Sequence, residues 1–464
     1  MTKNRFLDKI KQSNLRKIMK LNLLLSLFFT LFFVGCANHA ATNNDFQNMI
    51  VNSYCDDEFL AQSLEKVKDN DDAIYNGLNA GLIARNCSKF AQSIEFFDAV
   101  EDAYKYDVDL QNYALKGTKI ITSTLINENI SDYEGSMHER IMLNSYKALN
   151  FMSLGDFQNA RVEFNRALMR QELAKEYFAN QIEKNRDDLD KNYDKNVASN
   201  FKNISANYNS LFREFDTVKD FTNPYATYLA SVFFYMDNDY KRASDLLKEI
   251  AIIHPNNKEI QKQYATFAKQ AASINPQKSK KYIFLIYEDG LGAIKDEFRL
   301  TLPFVVDKKI VTTSVAFETL KKQGSSYETI EANLAQTSNL INLDSIVATE
   351  FKINMPSMIL KSLTSTATKT ALNIAVAKND DTGGWLALLS SLLTSVSTRA
   401  NVRSWTGLPK SVSVIMIENK GKITISVPNG RILFEQNLDE TKDTLVLVRS
   451  PLRSAPSHTT IIQR

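Results

Sequence analysis

From about Phe46 to Ala272 apolar residues recur at spacings of three and four, with little glycine or proline between them. That period predicts helix after helix. After "INPQKSK" the pattern changes to short runs rich in β-branched and aromatic residues: "KYIFLIYEDG", "EFRLTLPFV", "KKIVTTSVAF", "SVSVIMIENKGKITISVPNGRILFEQ" and "DTLVLVRS". These read as strands, with hairpin signals at Asn419–Gly421 and Pro428–Gly430. Between the strand groups lie "PSMILKSLTSTATKTALNIAVAK" and "WLALLSSLLTSVSTRA", two low-charge helical stretches separated by Gly383-Gly384. Their many small residues allow tight packing on a sheet, the preferred reading, and would also tolerate a bilayer surface. The pattern predicts an α+β chain, with a helical domain over 46–275 followed by a mixed, β-rich domain over 280–464 with inserted helices.

Inside the helical part the sequence repeats. The segment "NSYKALNFMSLGDFQNARVEFNRAL" carries Ala148, Phe151, Gly155, Phe157, Ala160, Phe164 and Ala167, and in "NPYATYLASVFFYMDNDYKRASDLLKEIAIIHP" Ser231, Phe234, Tyr240, Ala243, Leu247, Ile250 and Pro255 fall at matching offsets. A weaker copy includes Gly81, Phe90, Phe97 and Val100. These spacings resemble the tetratricopeptide repeat, in which small residues let two antiparallel helices approach and aromatics fill the gap. Asn223-Pro224 adds a helix cap followed by proline at the first helical position. The copies are not tandem: an insertion free of Gly and Pro runs from about Arg170 to Phe221. Within it Leu189, Tyr193, Val197, Phe201, Ile204, Tyr208, Leu211 and Phe215 form one apolar stripe. The stripe is expected to pack on the repeats, with a coiled-coil contact to another chain as the alternative.

The amino terminus poses a separate problem. The apolar run Leu21–Gly35 is too short for an ordinary transmembrane helix, which needs roughly 20 apolar residues, and reads as a signal-peptide core. Phe33-Val34-Gly35-Cys36 resembles the bacterial lipobox, with Phe33 where leucine is usual. That resemblance implies cleavage after residue 35, lipid on Cys36, and a linker over 36–45. Two or three acyl chains hold a protein on a bilayer, since each buried CH2 contributes about 0.8 kcal/mol. Ala37 lacks the acidic residue of the inner-membrane retention rule, so outer-membrane residence is expected. Met19 begins a complete signal of this type and is an alternative start.

Loss of the signal changes the charge balance. Seven of the 56 Lys and Arg, but one of the 53 Asp and Glu, precede Cys36, so the net charge moves from +3 to −3. A nucleic-acid partner thereby loses its electrostatic support. Of the three cysteines, Cys55 and Cys87 remain, readable as a disulfide or as two small buried residues in helices.

Motifs that carry chemistry are missing. No GxSxG, GxxxxGK[ST] or GxGxxG occurs, and none of His39, His138, His254 and His458 has a Cys, Asp or Glu at metal-ligand spacing. Neither cofactor nor metal is expected, and the chain is read as a non-enzyme. Two stretches stand out, "YEDGLGAIKDEFRLTLP" and "ANVRSWTGLPKSV". With the lipobox and repeats they resemble an uncharacterised family of bacterial envelope lipoproteins, whose tetratricopeptide-like half precedes a domain with an E-x-G loop, x-L-P, Ala-rich helices and R-S-W-x-x-L-P. The matching positions are Glu288, Gly290, Leu302, Pro303, Arg403, Ser404, Trp405, Leu408 and Pro409. Asn401 stands where an acidic residue is expected before the arginine.

The resemblance implies an envelope scaffold that captures a protein or peptide through its repeats, in cell-wall, secretion or surface-structure assembly. An envelope enzyme acting on glycan or peptide is the rival. Carrying over the repeat offsets puts Tyr225, Tyr228, Val232, Tyr235 and Met236 on the concave, partner-binding face, unless the insertion folds back over it. Arg403 and Trp405 form either a core, with Trp405 packed on the strands after it, or a second docking patch.

Overall fold

The computed structural model describes residues 39–104, 133–190, 195–218, 222–274, 280–306, 309–378 and 399–464. Cys36 and its signal, and the stretch from Gly383 through Ser397, lie outside the described residues. Among the described residues the helical part contains α1 (His39–Val51), α2 (Asp57–Lys68), α3 (Ala73–Asn86), α4 (Phe90–Ala103), α5 (Met137–Ser153), α6 (Phe157–Asp190), α7 (Lys195–Glu214), α8 (Pro224–Met236), α9 (Tyr240–Ile253) and α10 (Lys258–Ala271).

Three helical hairpins, α3–α4, α5–α6 and α8–α9, turn in the same way. Ser88, Gly155 and Asn238 each adopt positive φ, between 58° and 78°, two residues before the aromatic that opens the next helix. The weak first copy therefore keeps the turn with serine in place of glycine. The small residues at the helix contacts are fully buried, as are Phe97 and Phe164. Ser93 Oγ donates to the Gly81 carbonyl at 2.6 Å, and Ser231 Oγ to that of Ala243 at 2.8 Å, so equivalent hairpins are tied internally. Asn223 caps α8 by accepting from the N–H groups of Tyr225 and Ala226, with Pro224 in the first turn. A disulfide joins Cys55 to Cys87, fastening the residues before α2 to the end of α3.

The mixed part is built on a five-stranded sheet of order β11-β10-β1-β7-β6, comprising β1 (Tyr282–Asp289), β6 (Ser338–Asn342), β7 (Ser411–Glu418), β10 (Thr444–Ser450) and β11 (His458–Gln463). β1 runs parallel to β10 and antiparallel to β7. A second sheet holds β4 (Glu331–Ala332), β5 (Ala335–Gln336), β8 (Lys422–Ser426) and β9 (Ile432–Asn437). The turn at Pro428–Gly430 does close a hairpin, β8–β9, but Asn419–Gly421 does not: there the chain leaves one sheet for the other. β2 (Ile294–Val306) and β3 (Lys309–Lys321) form a separate two-stranded ribbon. Long helix α11 (Leu343–Lys378) starts 13 residues before Pro356 and contains it.

Three hydrophobic clusters hold these elements. The largest runs through both parts of the chain, with Tyr146, Tyr225 and Phe267 from the helices and Phe284, Val414 and Leu445 from the sheet. Ile283, Leu285 and Val446 of the other sheet face pack on Ile423 and Ile425. The third gathers Ile204, Tyr208 and Phe215 of the insertion with Phe317 of the ribbon and Phe351 and Leu363 of α11. From Val197 to Phe215 the inserted stripe thus packs on the mixed part, while Tyr193 lies outside the described residues, and Tyr208 donates its hydroxyl to the Glu318 carbonyl at 2.5 Å. Sequence periodicity marks an apolar face but carries no information about which distant surface will meet it. Residues His39–Arg464 belong to one compact unit.

Candidate functional site

The expected concave face is not open. Tyr225, Tyr228, Val232, Tyr235 and Met236 are all buried, at 2% exposure or less. What covers them is neither a ligand nor the insertion but the chain's own sheet and last helix of the array. Tyr225 and Tyr146 both donate to Glu288 Oε1, at 2.6 and 2.8 Å, so the carboxylate at the end of β1 is read by two helices, α8 and α5. Burial, reinforced by that carboxylate, pushes both phenols far above their usual range. Tyr228 donates to Gln263 at 2.7 Å, and Tyr235 stacks on Phe267 with its edge toward Phe284. Gly290 follows with φ of +71°, and a Cβ there would stand 2.9 Å from the Gly324 carbonyl oxygen. Only glycine fits the third position of this E-x-G loop.

The R-S-W-x-x-L-P segment is a second insertion into the helices. Arg403 Nη1 meets Asp72 Oδ2 at 2.8 Å, and Arg403 Nε donates to Asn401 Oδ1 at 3.0 Å. The acid missing at position 401 is thus supplied from the start of α3. Trp405 is buried, but against the helices, not the following strands: its ring meets Phe97 and Tyr146 edge-on, and its backbone N–H donates to Glu139 Oε1 at 2.9 Å. Asn79 brackets the segment, donating to the Ser404 carbonyl at 3.1 Å and accepting from the Thr406 N–H at 3.0 Å. A Cβ on Gly407 would collide with Ile50 and Leu82. Arg403 and Trp405 are therefore internal keys that fill the array and leave it no free face for a partner at these positions.

Beside this plug lies a cavity of about 660 Å³, walled by α5, α6, α11, the ribbon and the Trp405 segment. Its size falls in the range of small-molecule sites. Leu173 and Tyr177 of α6, Met142, Ile346, Phe351 and Met358 supply apolar wall. Charged lining residues are Glu134, Glu139, Glu318 and Glu350 against Arg140, Arg170, Lys295 and Lys361, with His138 in addition. Three of these acids, Glu139, Glu318 and Glu350, are engaged by the protein. Glu350 accepts from the N–H groups of Met137 and His138 at 2.7 and 3.1 Å and from His138 Nδ1 at 2.9 Å, capping α5 from α11. Glu139 completes a capping box with Ser136 and also accepts from the Tyr133 hydroxyl at 2.8 Å. Glu318 pairs with Lys295 at 2.9 Å.

This environment sets the titration of the His138–Glu350 pair. Burial alone would pull the imidazole down, but the hydrogen bond and charge of Glu350 hold it above its ordinary value. Burial alone would likewise raise Glu350, and His138 with the two backbone N–H groups holds it below. The sequence reading passed over His138 because its partner is 212 positions away. The signal open to it was "GSMHE", a serine three residues before glutamate at a helix start.

No family model, curated protein or solved structure matches the chain. Among the described residues no three His, Cys, Asp or Glu are grouped to hold a metal ion, and no helix is long and apolar enough to cross a membrane.

Proposed function

We propose that this chain is a lipid-anchored binding protein of the bacterial envelope, held by acyl chains on Cys36, facing the periplasm from the outer membrane, and capturing a protein or peptide partner in cell-wall, secretion or surface-structure assembly. One observation carries the capture reading. Along α6, Val162, Met169, Leu173 and Tyr177 lie along one face and are 43 to 58% exposed, and the last two also line the cavity. An exposed apolar stripe leading into a pocket is the shape that receives a partner segment with one inserted side chain. The scaffold role of the repeats is kept, but the contact surface moves from the concave face to the outer face of α6.

Catalysis would be favoured by carboxylates free to act in the cleft between the two parts. Glu350 and Glu139 instead cap α5, and Glu318 is paired, so the lining supports binding over acid–base work.

A photo-crosslinker placed at Met169 in living cells tests the capture reading. The expected product is a discrete envelope protein adduct that disappears in the Leu173→Asp, Tyr177→Asp variant, whose melting temperature stays that of the wild type. Adducts surviving that double change would remove the stripe from the function. Cys36→Ala should abolish fatty-acid labelling; unchanged labelling overturns the anchor.

A further inference from the structure

Helix α1 leaves almost no free chain between the lipid anchor and the folded body. The linker expected over 36–45 is cut short, because α1 begins at His39, three positions after Cys36. Nor can α1 serve as slack, since it is built into the core. Phe46 and Ile50 are buried, at 5% and 2% exposure. Buried Asn43 uses both ends of its amide: Nδ2 donates to the Val402 carbonyl at 2.8 Å, and Oδ1 accepts from the Tyr75 hydroxyl at 2.7 Å. Gln47 bonds Gln323, and Ser53 Oγ lies 2.7 Å from His458 Nε2. The helix is thus tied to α3, the plug, the residues after β3 and the start of β11.

Three peptide steps span at most about 11 Å, and the headgroup layer between hydrocarbon and water takes up roughly 5–8 Å of that reach. A Cys36 acylated in the bilayer therefore holds the first turn of α1 within a few ångströms of the headgroups. The surroundings of that turn define the face presented to them. The His39 ring stands edge-on to Tyr75, with ring centres 5.8 Å apart, which sets the α2–α3 turn beside it. Ala40 and Asp45 of α1 are exposed, as are Asp69, Asn70 and Asp71 of the turn. Such a polar face rests on headgroups and does not enter the hydrocarbon.

We propose that the anchored protein docks on the bilayer surface by this end, the first turn of α1 with the α2–α3 turn, and leaves no room for a partner between body and membrane. This rests on the reading of Cys36 as lipidated. The contact is made by the anchor and the short tether together, not by affinity of the face for lipid.

With Cys36 acylated and Cys55 bonded to Cys87, an introduced cysteine is the one free thiol. The full lipoprotein carrying Ala40→Cys or Asp71→Cys, labelled with a nitrobenzoxadiazole dye, is reconstituted in phosphatidylcholine vesicles that contain a headgroup-nitroxide lipid. Both dyes should be quenched by at least half. Inserting roughly thirty Gly and Ser residues between Ala37 and Asn38 lets the body stand off by about 30 Å and should reduce the quenching at least threefold, with the melting temperature unchanged. Quenching at Asp71→Cys that is absent, or equal with and without the insertion, overturns the docked face. Fatty-acid labelling of Cys36 without that quenching overturns the docking alone, whereas loss of the labelling overturns the anchor reading and the docking with it.

Discussion

Helices α8 and α6 both carry apolar and aromatic side chains at helical spacing, and the molecule treats them in opposite ways. Every residue of α8 is buried, and the hydroxyls of Tyr225 and Tyr228 have acceptors on covering segments, Glu288 and Gln263. α6 buries Ala160, Phe164, Ala167, Ala174 and Phe178 on one face while leaving Met169, Leu173 and Tyr177 bare on another. The difference teaches that a tyrosine-rich repeat face is not a docking face by composition alone. When its rings are buried and two of its three hydroxyls find acceptors within the same chain, the face is core. A bare apolar row beside a cavity is the better sign of a partner.

The comparison breaks most readily at the plug. Trp405→Ala should cost about 3–5 kcal/mol of unfolding free energy, because the ring fills the space between Phe97 and Tyr146 and its loss leaves a cavity there. Urea denaturation measures it; a cost within 0.5 kcal/mol would mean that the segment does not hold the array closed. Tyr225→Phe should cost about 1.5–3 kcal/mol, the range for a hydrogen bond to a charged group, since Glu288 loses one of its two phenol donors. No loss there would return α8 to the docking class.

Acidity sharpens the contrast through His138 and Glu350, which tie α11 to α5. The folded pKa of His138 is raised, so its contribution is full below 6.5 and fades as pH climbs through the folded value. Glu350 is lowered, so its contribution is full above 4.5 and fades as pH falls through its folded value. Stability from this pair is therefore greatest between about pH 4.5 and 6.5, and His138→Asn should remove the decline above 6.5 in a pH series of melting curves. A variant with the wild-type slope would show that the pair does not couple the two parts. The smallest effect belongs to α6. Met169→Asp with Leu173→Asp should leave stability within roughly 0.5 kcal/mol, as for other surface changes. A large loss would show that the row is covered by the protein itself.

Local features were legible from the sequence and distant ones were not. The helical period, the Asn223-Pro224 cap and the β8–β9 turn all depend on residues a few positions apart, and the order of a helical region before a β-rich one follows from them. The burial of α8 depends on Glu288, 63 positions from Tyr225, and the acid that meets Arg403 comes from Asp72, 331 positions away. β6, β11 and the short strands β4 and β5 were missed because pairing partners, not strong local propensity, define them. The cavity was invisible for the same reason, since its lining is drawn from residues between Tyr133 and Pro409.

The plug also fixes an order of events as the chain is made. Residues 400–409 belong to the last seventh of the sequence, yet they fill space between helices within its first third. Until they emerge, Phe97 and Tyr146 lack the ring that packs between them, and a half-made chain presents a sticky surface of the kind that aggregates or recruits a holdase. A stop codon anywhere before Arg403 should thus yield inclusion bodies or rapid degradation, not a shortened working protein.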